Sequence, residues 1–391
     1  MTRLAEVFLV FLRLGCTSFG GPVAHLGYFR TEFVTRRKWL DEHAYAAIVG
    51  FCQFIPGPAS SQVGMALGLM RAGVPGAVAA FIGFTAPSAL LMVGFAFLLG
   101  RLGDVSSAPW VHGLKLAAVA IVGQAVWSMA RTLAPDLPRA FIALFAATLM
   151  LVLPSTLGQI AAIVLAGIVG WAFLPARAAP AHPPLDLSVP RAIQLLALAL
   201  FLLALFGLPF LAPLDHRIAV IEAFYRAGAL VFGGGHVVLP LLQQSVVVPG
   251  WVDPHAFLTG YGAAQALPGP LFSFAAFLGA ELREPPNGIA GALLALGAIY
   301  LPSFLLVFGA LPLWQAAARH TAMGAALAGV NAAVVGLLLA ALYSPVGTAA
   351  ILSVSDALIA LLLFIALVWR NVPSWLVVGL AVLFATLATA L

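Results

Sequence analysis

Residues 53–58 of the chain read Gln-Phe-Ile-Pro-Gly-Pro, and residues 265–270 read Gln-Ala-Leu-Pro-Gly-Pro. Each stretch lies inside a long apolar segment, where proline removes a backbone N–H donor and disrupts the preceding helical turn. Each is also preceded by a run of small residues, Gly20-Gly21-Pro22 in the first case and Gly233-Gly234-Gly235 in the second. The chain therefore carries two copies of one pattern, in which apolar helices are broken at matched places.

The two copies extend well beyond these breaks. Further matches recur at a nearly constant separation of about 213 residues, and such spacing indicates an internal duplication. They include Arg13 with Arg226, Trp39 with Trp251, Asp41 with Asp253, His43 with His255, Ser61 with Ser273, and Pro87 with Pro302. The sequence predicts a first repeat over residues 1–175, an Ala- and Pro-rich linker over 176–191, and an extra helix followed by the second repeat over 192–391.

Composition indicates a membrane protein. Hydrophobic residues make up 63% of the sequence and charged residues only 8%. Many apolar stretches are long enough to cross a hydrocarbon core of about 30 Å, and we place about thirteen transmembrane helices. The first and second helices of each repeat are expected to be discontinuous at the breaks. The predicted fold class is therefore an all-α polytopic membrane protein.

The order of the predicted helices indicates that the repeats have opposite orientations. Seven helices separate the two starting points, and an odd number inverts the second copy relative to the first. The loop at 30–38 carries four Arg or Lys residues, whereas its counterpart before Trp251 carries none. Loops on opposite sides of a membrane differ in this way. We expect an inverted-topology repeat, while the nearly balanced total loop charge leaves the absolute orientation open.

The residues also argue against several classes of function. The net charge of +5 rests on few residues. We attribute these charges to contacts with lipid headgroups and to the orientation of loops in the membrane, and not to nucleic-acid binding. Two cysteines and the absence of Cys/His spacing give neither a disulfide framework nor a zinc site. The chain has no phosphate-binding loop and no H-E-x-x-H or G-x-S-x-G motif. We expect no enzyme activity, no cofactor and no metal.

The breaks form the predicted binding site. A broken helix leaves an N-terminus whose free N–H groups and partial positive charge favour an anion. Unwound backbone is tolerated in a bilayer only where protein buries it or where it lines a wet cavity. A kink or a packing seam is the alternative for any single break, but recurrence in both repeats favours a shared anion site. The candidate positions are Gly20, Gly21, Pro56, Gly57, Pro58, Gly233, Gly234, Gly235, Pro268, Gly269 and Pro270.

Polar side chains beside the breaks complete the predicted site. Arginine presents a planar fork of donors to an oxyanion, and glutamine or serine can donate without a charge. Each has an alternative role, because arginine can extend to the interface, glutamine can bond a neighbouring helix, and serine can cap a helix start. The histidine could carry a proton but has no matched partner in the first copy. These candidates are Arg13, Arg226, Gln53, Gln265, Ser60, Ser273 and His236.

The ordered motifs resemble those of the chromate ion transporter family in its long, two-domain form. The resemblance rests on Phe19-Gly20-Gly21-Pro22, Trp39-Leu40-Asp41, residues 53–58 and their counterparts in the second copy, and it covers essentially the whole chain. It implies efflux of chromate from the bacterial cytoplasm across the inner membrane, with sulfate as a related anion. The family's shared residues carry over to the Gly and Pro positions of the breaks.

Elementary energetics favour export over uptake. A dianion that leaves an interior-negative cell gains roughly 4–5 kcal/mol from a potential of 100 mV, so membrane potential or an ion gradient is sufficient. The alternatives are a transporter of sulfate or another inorganic anion, or a passive anion channel built on the same helix ends. The expected partners are the anion and the lipid bilayer, with no nucleic acid. One chain holds both halves, so its sequence is compatible with either a monomer or a homodimer.

Overall fold

The computed structural model describes residues 2–103, 108–175, 189–232, 235–310 and 321–388. The structure is 85% helical, and no strand occurs in these ranges, so the predicted all-α fold is confirmed. Six of the described helices are long and apolar enough to cross a membrane. The chain is therefore a polytopic helical membrane protein. Most of the predicted linker, at 176–188, lies outside the described residues.

The helices are numbered here in chain order. Those of the first copy are α1 (Arg3–Thr17), α2 (Gly21–Phe29), α3 (Glu42–Phe54), α4 (Ala59–Leu102), α5 (Pro109–Leu133), α6 (Leu137–Val152) and α7 (Thr156–Phe173). The extra helix is α8 (Arg191–Leu211). Those of the second copy are α9 (His216–Ala229), α10 (Val238–Leu242), α11 (Pro254–Ala266), α12 (Phe274–Ala280), α13 (Gly288–Gly309), α14 (Thr321–Ala341), α15 (Val354–Trp369) and α16 (Ser374–Ala388). Turns with π-helical hydrogen bonding extend α2, α10 and α14 at Arg30–Arg36, Gln243–Val247 and Leu342–Gly347.

The first break reverses the direction of the chain. Phe11 of α1 stacks on Phe33, which follows α2, with ring centroids 5.1 Å apart. A continuous helix would separate these residues by about 33 Å. At the opposite end of α1, called the outer end, Arg37 pairs with Glu6 at 3.2 Å. Residues 3–36 therefore form a helical hairpin, called hairpin 1, with its tip at 18–20.

The second break of the first copy also forms a hairpin. The Arg71 guanidinium lies 5.1 Å from the centroid of the Trp39 ring, just before α3 begins. The first arm of α4 ends there, because Ala72 and Gly73 leave helical φ and ψ and the chain turns into the long second arm, 74–102. Residues 42–71 are called hairpin 2, and the Pro-Gly-Pro stretch forms its tip.

The second copy repeats both hairpins. At the outer end of hairpin 3 (residues 216–247), the rings of His216 and Trp251 lie 5.0 Å apart. Hairpin 4 (residues 254–280) is closed at its outer end where Arg283 N donates to Trp251 O over 3.0 Å. The same sequence pattern therefore gives the same local structure twice.

These hairpins correct one feature of the predicted topology. The sequence predicts four spans that unwind and then continue across the membrane, at 5–29, 44–70, 218–245 and 256–280. Each instead returns toward its own start, because glycines with positive φ, such as Gly20 at 97° and Gly269 at 93°, allow a tight reversal that a proline kink would not. If the 16-residue apolar helix α6 is counted with the long second arm of α4 and with α5, α7 and α8, five apolar segments then separate the copies instead of seven. The number stays odd, so the inverted arrangement stays the expected one.

The two copies share one core. α5 of the first copy packs on α15 and α16 of the second, while α14 of the second packs on α6 and α7 of the first. Gly123 of α5 faces the Phe364 ring, and its equivalent Gly336 of α14 faces the Ala143 carbonyl. The largest buried cluster contains residues of both copies. Exchanged helices therefore hold the two sets of hairpins against each other.

Candidate functional site

The hairpin tips of the two copies are joined by reciprocal hydrogen bonds. Gly57 N in hairpin 2 donates to Val231 O in hairpin 3 over 2.7 Å. In the equivalent contact, Gly269 N of hairpin 4 donates to Ser18 O of hairpin 1 over 2.9 Å. Each copy thus satisfies backbone groups that the breaks of the other copy leave without helical partners. These contacts agree with the geometry expected of an inverted repeat.

Glycine is required at both joints. Gly57 and Gly269 have φ of 125° and 93°, where a side chain is strained. A Cβ would also lie 2.9 Å from Ser303 Oγ at Gly57 and 2.9 Å from Ser88 Oγ at Gly269. Since Ser88 and Ser303 are equivalent residues, the same joint is built twice. The prolines that flank the two joints are Pro56, Pro58, Pro268 and Pro270.

A cavity of about 220 Å³ lies beside the joints. The first copy contributes the tip of hairpin 1 and one face of α5. The second copy contributes hairpins 3 and 4 and the turn between α15 and α16. Both copies therefore line one space. The lining residues are Gly20, Gly21, Ile121, Gln124, His236, Gln265, Leu367, Asn371, Val372, Pro373 and Ser374.

Two other cavities lack this combination. One, of about 180 Å³, lies between α6, α10 and α14 and includes no hairpin tip among its described lining residues. The other, of about 690 Å³, is an open groove along α1 and α4 lined almost entirely by apolar side chains. Of these three cavities, the one beside the joints is the one that brings broken helices and polar side chains of both copies together.

The polar groups around this cavity carry no fixed charge. No lysine or arginine is among its described lining residues. Positive potential comes from helix N-termini instead, because α2 begins at Gly21 and α16 begins at Ser374, and such ends carry partial positive charge and unpaired N–H groups. The polar side chains are those of Gln124, His236, Gln265, Asn371 and Ser374. The arrangement can hold an anion by neutral donors, which permits release.

The two candidate arginines do not line this cavity. Arg13 is exposed on α1. Arg226 is engaged by Glu222 one turn earlier on α9, with Nε 2.5 Å from Oε1 and a second contact of 3.2 Å. An ion pair of this kind reduces the charge that either group offers to a third partner. Neither arginine contacts a cavity-lining side chain in the described structure.

The two candidate glutamines occupy different environments. Gln265 lines the cavity, and its Nε2 amide is buried near the Tyr261 hydroxyl without a hydrogen bond of good geometry among the described residues. Gln53, its repeat equivalent, is exposed. A buried amide without a partner costs free energy unless something satisfies it. Gln265 is therefore the side chain best placed to meet a ligand.

The two candidate serines form hydrogen bonds at the hairpin tips and do not line the cavity. Ser60 lies 3.4 Å from His25 Nδ1, and the other ring nitrogen of His25 lies 3.1 Å from Ser18 O. Because a carbonyl only accepts, His25 Nε2 must donate, and Ser60 then donates to Nδ1. Ser273 donates to Pro270 O at 2.8 Å within its own tip. These contacts hold the tips together and leave the cavity to other groups.

His236 lies at the cavity, with Nδ1 3.0 Å from the Tyr261 hydroxyl. Gly235 is buried beside Pro22 of hairpin 1, where a Cβ would lie 3.3 Å from Pro22 Cγ, so the start of this segment approaches the tip of hairpin 1. Gly233 and Gly234 lie outside the described residues. Three polar lining residues were missed by sequence reasoning, and a polar residue within an otherwise apolar helix was the available signal for the first. They are Gln124, Asn371 and Ser374.

Comparison with known proteins assigns the chain to a family. The sequence profile described as Chromate transporter matches residues 5–171 and 218–386, which are the two copies. The chain belongs to the chromate transporter family. The chromate transport protein of Cupriavidus metallidurans is 26% identical over 361 residues, or 92% of this chain and 86% of that protein. That of Pseudomonas aeruginosa is 28% identical over 346 residues, or 85% and 79%.

A probable chromate transport protein of Synechococcus elongatus is also similar, with 26% identity over 338 residues, or 86% of this chain and 82% of that protein. No solved structure matches the chain. These relatives are named as transport proteins, and the family assignment supports a role in chromate transport. The resemblance inferred from the breaks is therefore confirmed at the level of the family.

Proposed function

We propose that the protein exports chromate from the cytoplasm across the bacterial inner membrane, as a secondary transporter driven by membrane potential or an ion gradient. The observation that supports this is the cavity beside the tip joints, where Gly20, Gly21, His236 and Gln265 of the two copies face one space. Neutral donors and helix ends suit a tetrahedral oxyanion that must bind and leave. One chain supplies all these groups, so a monomer is sufficient and a homodimer is compatible.

The direction of transport follows from the charge of the substrate. A dianion moving out of an interior-negative cell gains roughly 4–5 kcal/mol at 100 mV. Because the described cavity lining includes no lysine or arginine, release needs no separation of a formal ion pair. Sulfate has the same charge and shape, so a transporter or channel for sulfate or another inorganic anion is the competing function.

The test is flux of labelled chromate into inside-out membrane vesicles with an imposed lumen-positive potential. The intact chain should accumulate chromate, and an excess of sulfate shows whether the two anions compete. Gln265→Leu and Gln124→Leu should lower the initial rate about tenfold or more, because each removes a hydrogen bond to a charged ligand worth about 1.5–3 kcal/mol. Saturation and counter-transport would separate a transporter from a channel.

A matched control is Gln194→Leu on α8, whose amide donates to Val189 O at 3.0 Å and does not line the cavity. Its flux should stay within about twofold of the intact chain. If all three variants transport chromate normally, the cavity is not the route. If the intact chain moves sulfate but not chromate, the proposed substrate is wrong.

A further inference from the structure

A buried lysine lies far from the hairpin tips and takes no part in the proposed anion site. Lys115 is on α5, a helix long and apolar enough to span a membrane, and is only 4% exposed. Its Nζ lies 3.0 Å from Nδ1 of His255 at the start of α11. An ionisable side chain within an apolar span is costly and generally marks a function.

The hydrogen bond fixes the protonation of the pair. With Lys115 as an ammonium, which has donors only, Nδ1 of His255 accepts the hydrogen bond and the imidazole is neutral, with its proton on Nε2. A second proton at Nδ1 would place an N–H against the ammonium. That proton removes the acceptor and puts two positive charges about 3 Å apart, which breaks the contact. The pair therefore has one stable protonation state while the hydrogen bond between Lys115 and His255 is formed.

Other charged and titratable groups lie near the pair. On α11, Asp253 accepts from the backbone N of His255 and Ala256, at 2.8 and 3.2 Å, and pairs with Arg283 at 3.6 Å. On α5, His112 lies 2.7 Å from Asp356, at the start of α15. The described residues of α14 and α16, which also pack on α5, include no ionisable side chain. Asp253 acts on Lys115 electrostatically, and Glu281, which follows α12, is close enough to Asp253 for the two carboxylates to repel each other. Among the described residues, however, the hydrogen-bond partner of Lys115 Nζ is His255 and not a carboxylate.

Both helices that carry the pair lead to the cavity. Gln124 follows Lys115 on α5, and Gln265 follows His255 on α11, each about 14–15 Å along its helix at about 1.5 Å per residue. The helices touch where Gly262 packs against the Leu114 carbonyl with no space for a Cβ. A change at the pair can therefore move two lining residues of the cavity.

The pair occurs in one copy only. His43 is the repeat equivalent of His255, but the residue equivalent to Lys115, by the match of Gly123 with Gly336, is Ala328. His255 is exposed at the outer end of hairpin 4, whereas Lys115 is buried. A proton can reach the imidazole from the aqueous phase on that one side. Because the pair occurs in one copy only, the protein presents it to one side of the membrane and not to the other.

On the basis of the proposed function, we propose that Lys115 and His255 form a proton-binding site that gates anion movement according to the pH on that side of the membrane. A proton taken from the aqueous phase binds Nδ1 of His255, breaks the contact with Lys115 and loosens α5 from α11, which opens the cavity toward that side. Release of the proton restores the contact between Lys115 and His255 and closes the cavity. The ligand of this site is the proton itself.

The experiment measures initial rates of labelled chromate flux in proteoliposomes, with equal pH on both sides, between pH 5.5 and 7.5. The rate should be about tenfold higher at the acidic end than at pH 7.5, because a proton on Nδ1 of His255 breaks the contact with Lys115. His255→Gln and Lys115→Gln should each flatten this profile. His43→Gln should keep it, because its copy has alanine in place of the lysine. Dividing each variant's rate by that of the intact chain removes the contribution of chromate's own protonation.

A profile that is unchanged in both His255→Gln and Lys115→Gln overturns the proposal while leaving chromate export intact. If the intact chain moves no chromate at any pH, the proposed function fails instead. If the variants do not fold, a second measurement on the intact chain tests the same proposal. Amide hydrogen exchange in the first turns of α11, corrected for its intrinsic pH dependence, should accelerate several-fold at pH 5.5 relative to the first turns of α3. Equal exchange in the two helices would also overturn the proposal.

Discussion

The two copies share one architecture but use different chemistry at the ends of their hairpins. In the first copy the outer ends are held by ion pairs, in which Glu6 bonds Arg71 at 2.8 Å and Arg37 at 3.2 Å. In the second copy the corresponding region is held by the ring contact of His216 with Trp251 and by a long, exposed Arg283–Asp253 pair. Duplication has therefore preserved the scaffold, while the side chains at equivalent positions have diverged.

The inner ends differ as well. At its hairpin tips the first copy lines the cavity with backbone, at Gly20 and Gly21, whereas the second lines it with the side chains of His236 and Gln265. The hairpin tips therefore contribute asymmetrically to the anion site, although their scaffold is symmetric.

The largest effects are expected at the reciprocal joints. Gly57→Ala and Gly269→Ala should each destabilise the protein by about 2–5 kcal/mol, because both combine strain at positive φ with overpacking. Thermal unfolding of the purified protein in detergent, followed by loss of the monodisperse peak, measures the change. Gly94→Ala is the control, since a Cβ there has no neighbour within 4 Å and should change stability little. A large loss at one joint and none at the other would disprove the reciprocity.

A smaller difference should appear at the exchanged helices. At Gly336 a Cβ would collide with the Ala143 carbonyl, whereas at the equivalent Gly123 its nearest neighbour is a Phe364 ring atom at 3.3 Å. Gly336→Ala should therefore cost about 1–3 kcal/mol, and Gly123→Ala less than about 1 kcal/mol because a ring can shift. The same unfolding measurement compares them. Equal losses would show that the packing of α5 on α15 is as close as that of α14 on α6.

The third prediction contrasts the matched glutamines. Gln265→Leu should lower chromate flux about tenfold, the effect of losing about 1.4 kcal/mol of binding to a charged ligand. Gln53→Leu should change it less than about twofold, because that side chain is exposed outside the cavity. Initial rates in the same vesicles decide between them. An equal loss in the two variants would indicate a second, symmetric site in the first copy.

The smallest effect concerns the ion pairs of the first copy. Glu32, beyond the predicted span 5–29, is buried, which raises its pKa, but Arg37 and Arg36 at 2.7 and 3.3 Å outweigh burial and hold the pKa below its ordinary value. A lowered folded-state pKa gives stability that is present at neutral pH and is lost as pH falls through that value. Glu32→Gln should therefore cost about 1 kcal/mol at pH 7 and progressively less as the pH falls below the ordinary glutamate pKa. Arg283→Gln, at an exposed pair, should cost nearly nothing, and unfolding midpoints against pH test both.

Much of the scaffold follows from sequence because its signals are local. The Pro-Gly-Pro and glycine stretches mark where helices end, and the structure breaks its helices there, at 18–20 and 55–58 in the first copy. Whether a broken helix continues or returns is not a local property. It depends on contacts between residues far apart in sequence, such as Phe11 with Phe33, and no single break encodes them.

The site is predicted less completely for a related reason. Repeat symmetry treats Gln53 and Gln265 alike, but the helices packed around each tip decide which one faces a cavity. Arg226 had a visible local partner, because Glu222 precedes it by one helical turn and such pairs neutralise each other. Gln124, Asn371 and Ser374 come from elements outside the breaks. Their role depends on the exchange of helices between copies, which the repeat pattern does not specify.

The most direct test of the account is a structure of the protein determined with chromate, using the anomalous signal of chromium to locate the anion. The account predicts chromium in the cavity between Gly20–Gly21 and the side chains of His236 and Gln265, with the two glycine joints intact. Chromium in the cavity between α6, α10 and α14, or along a path that avoids the hairpin tips, would contradict it.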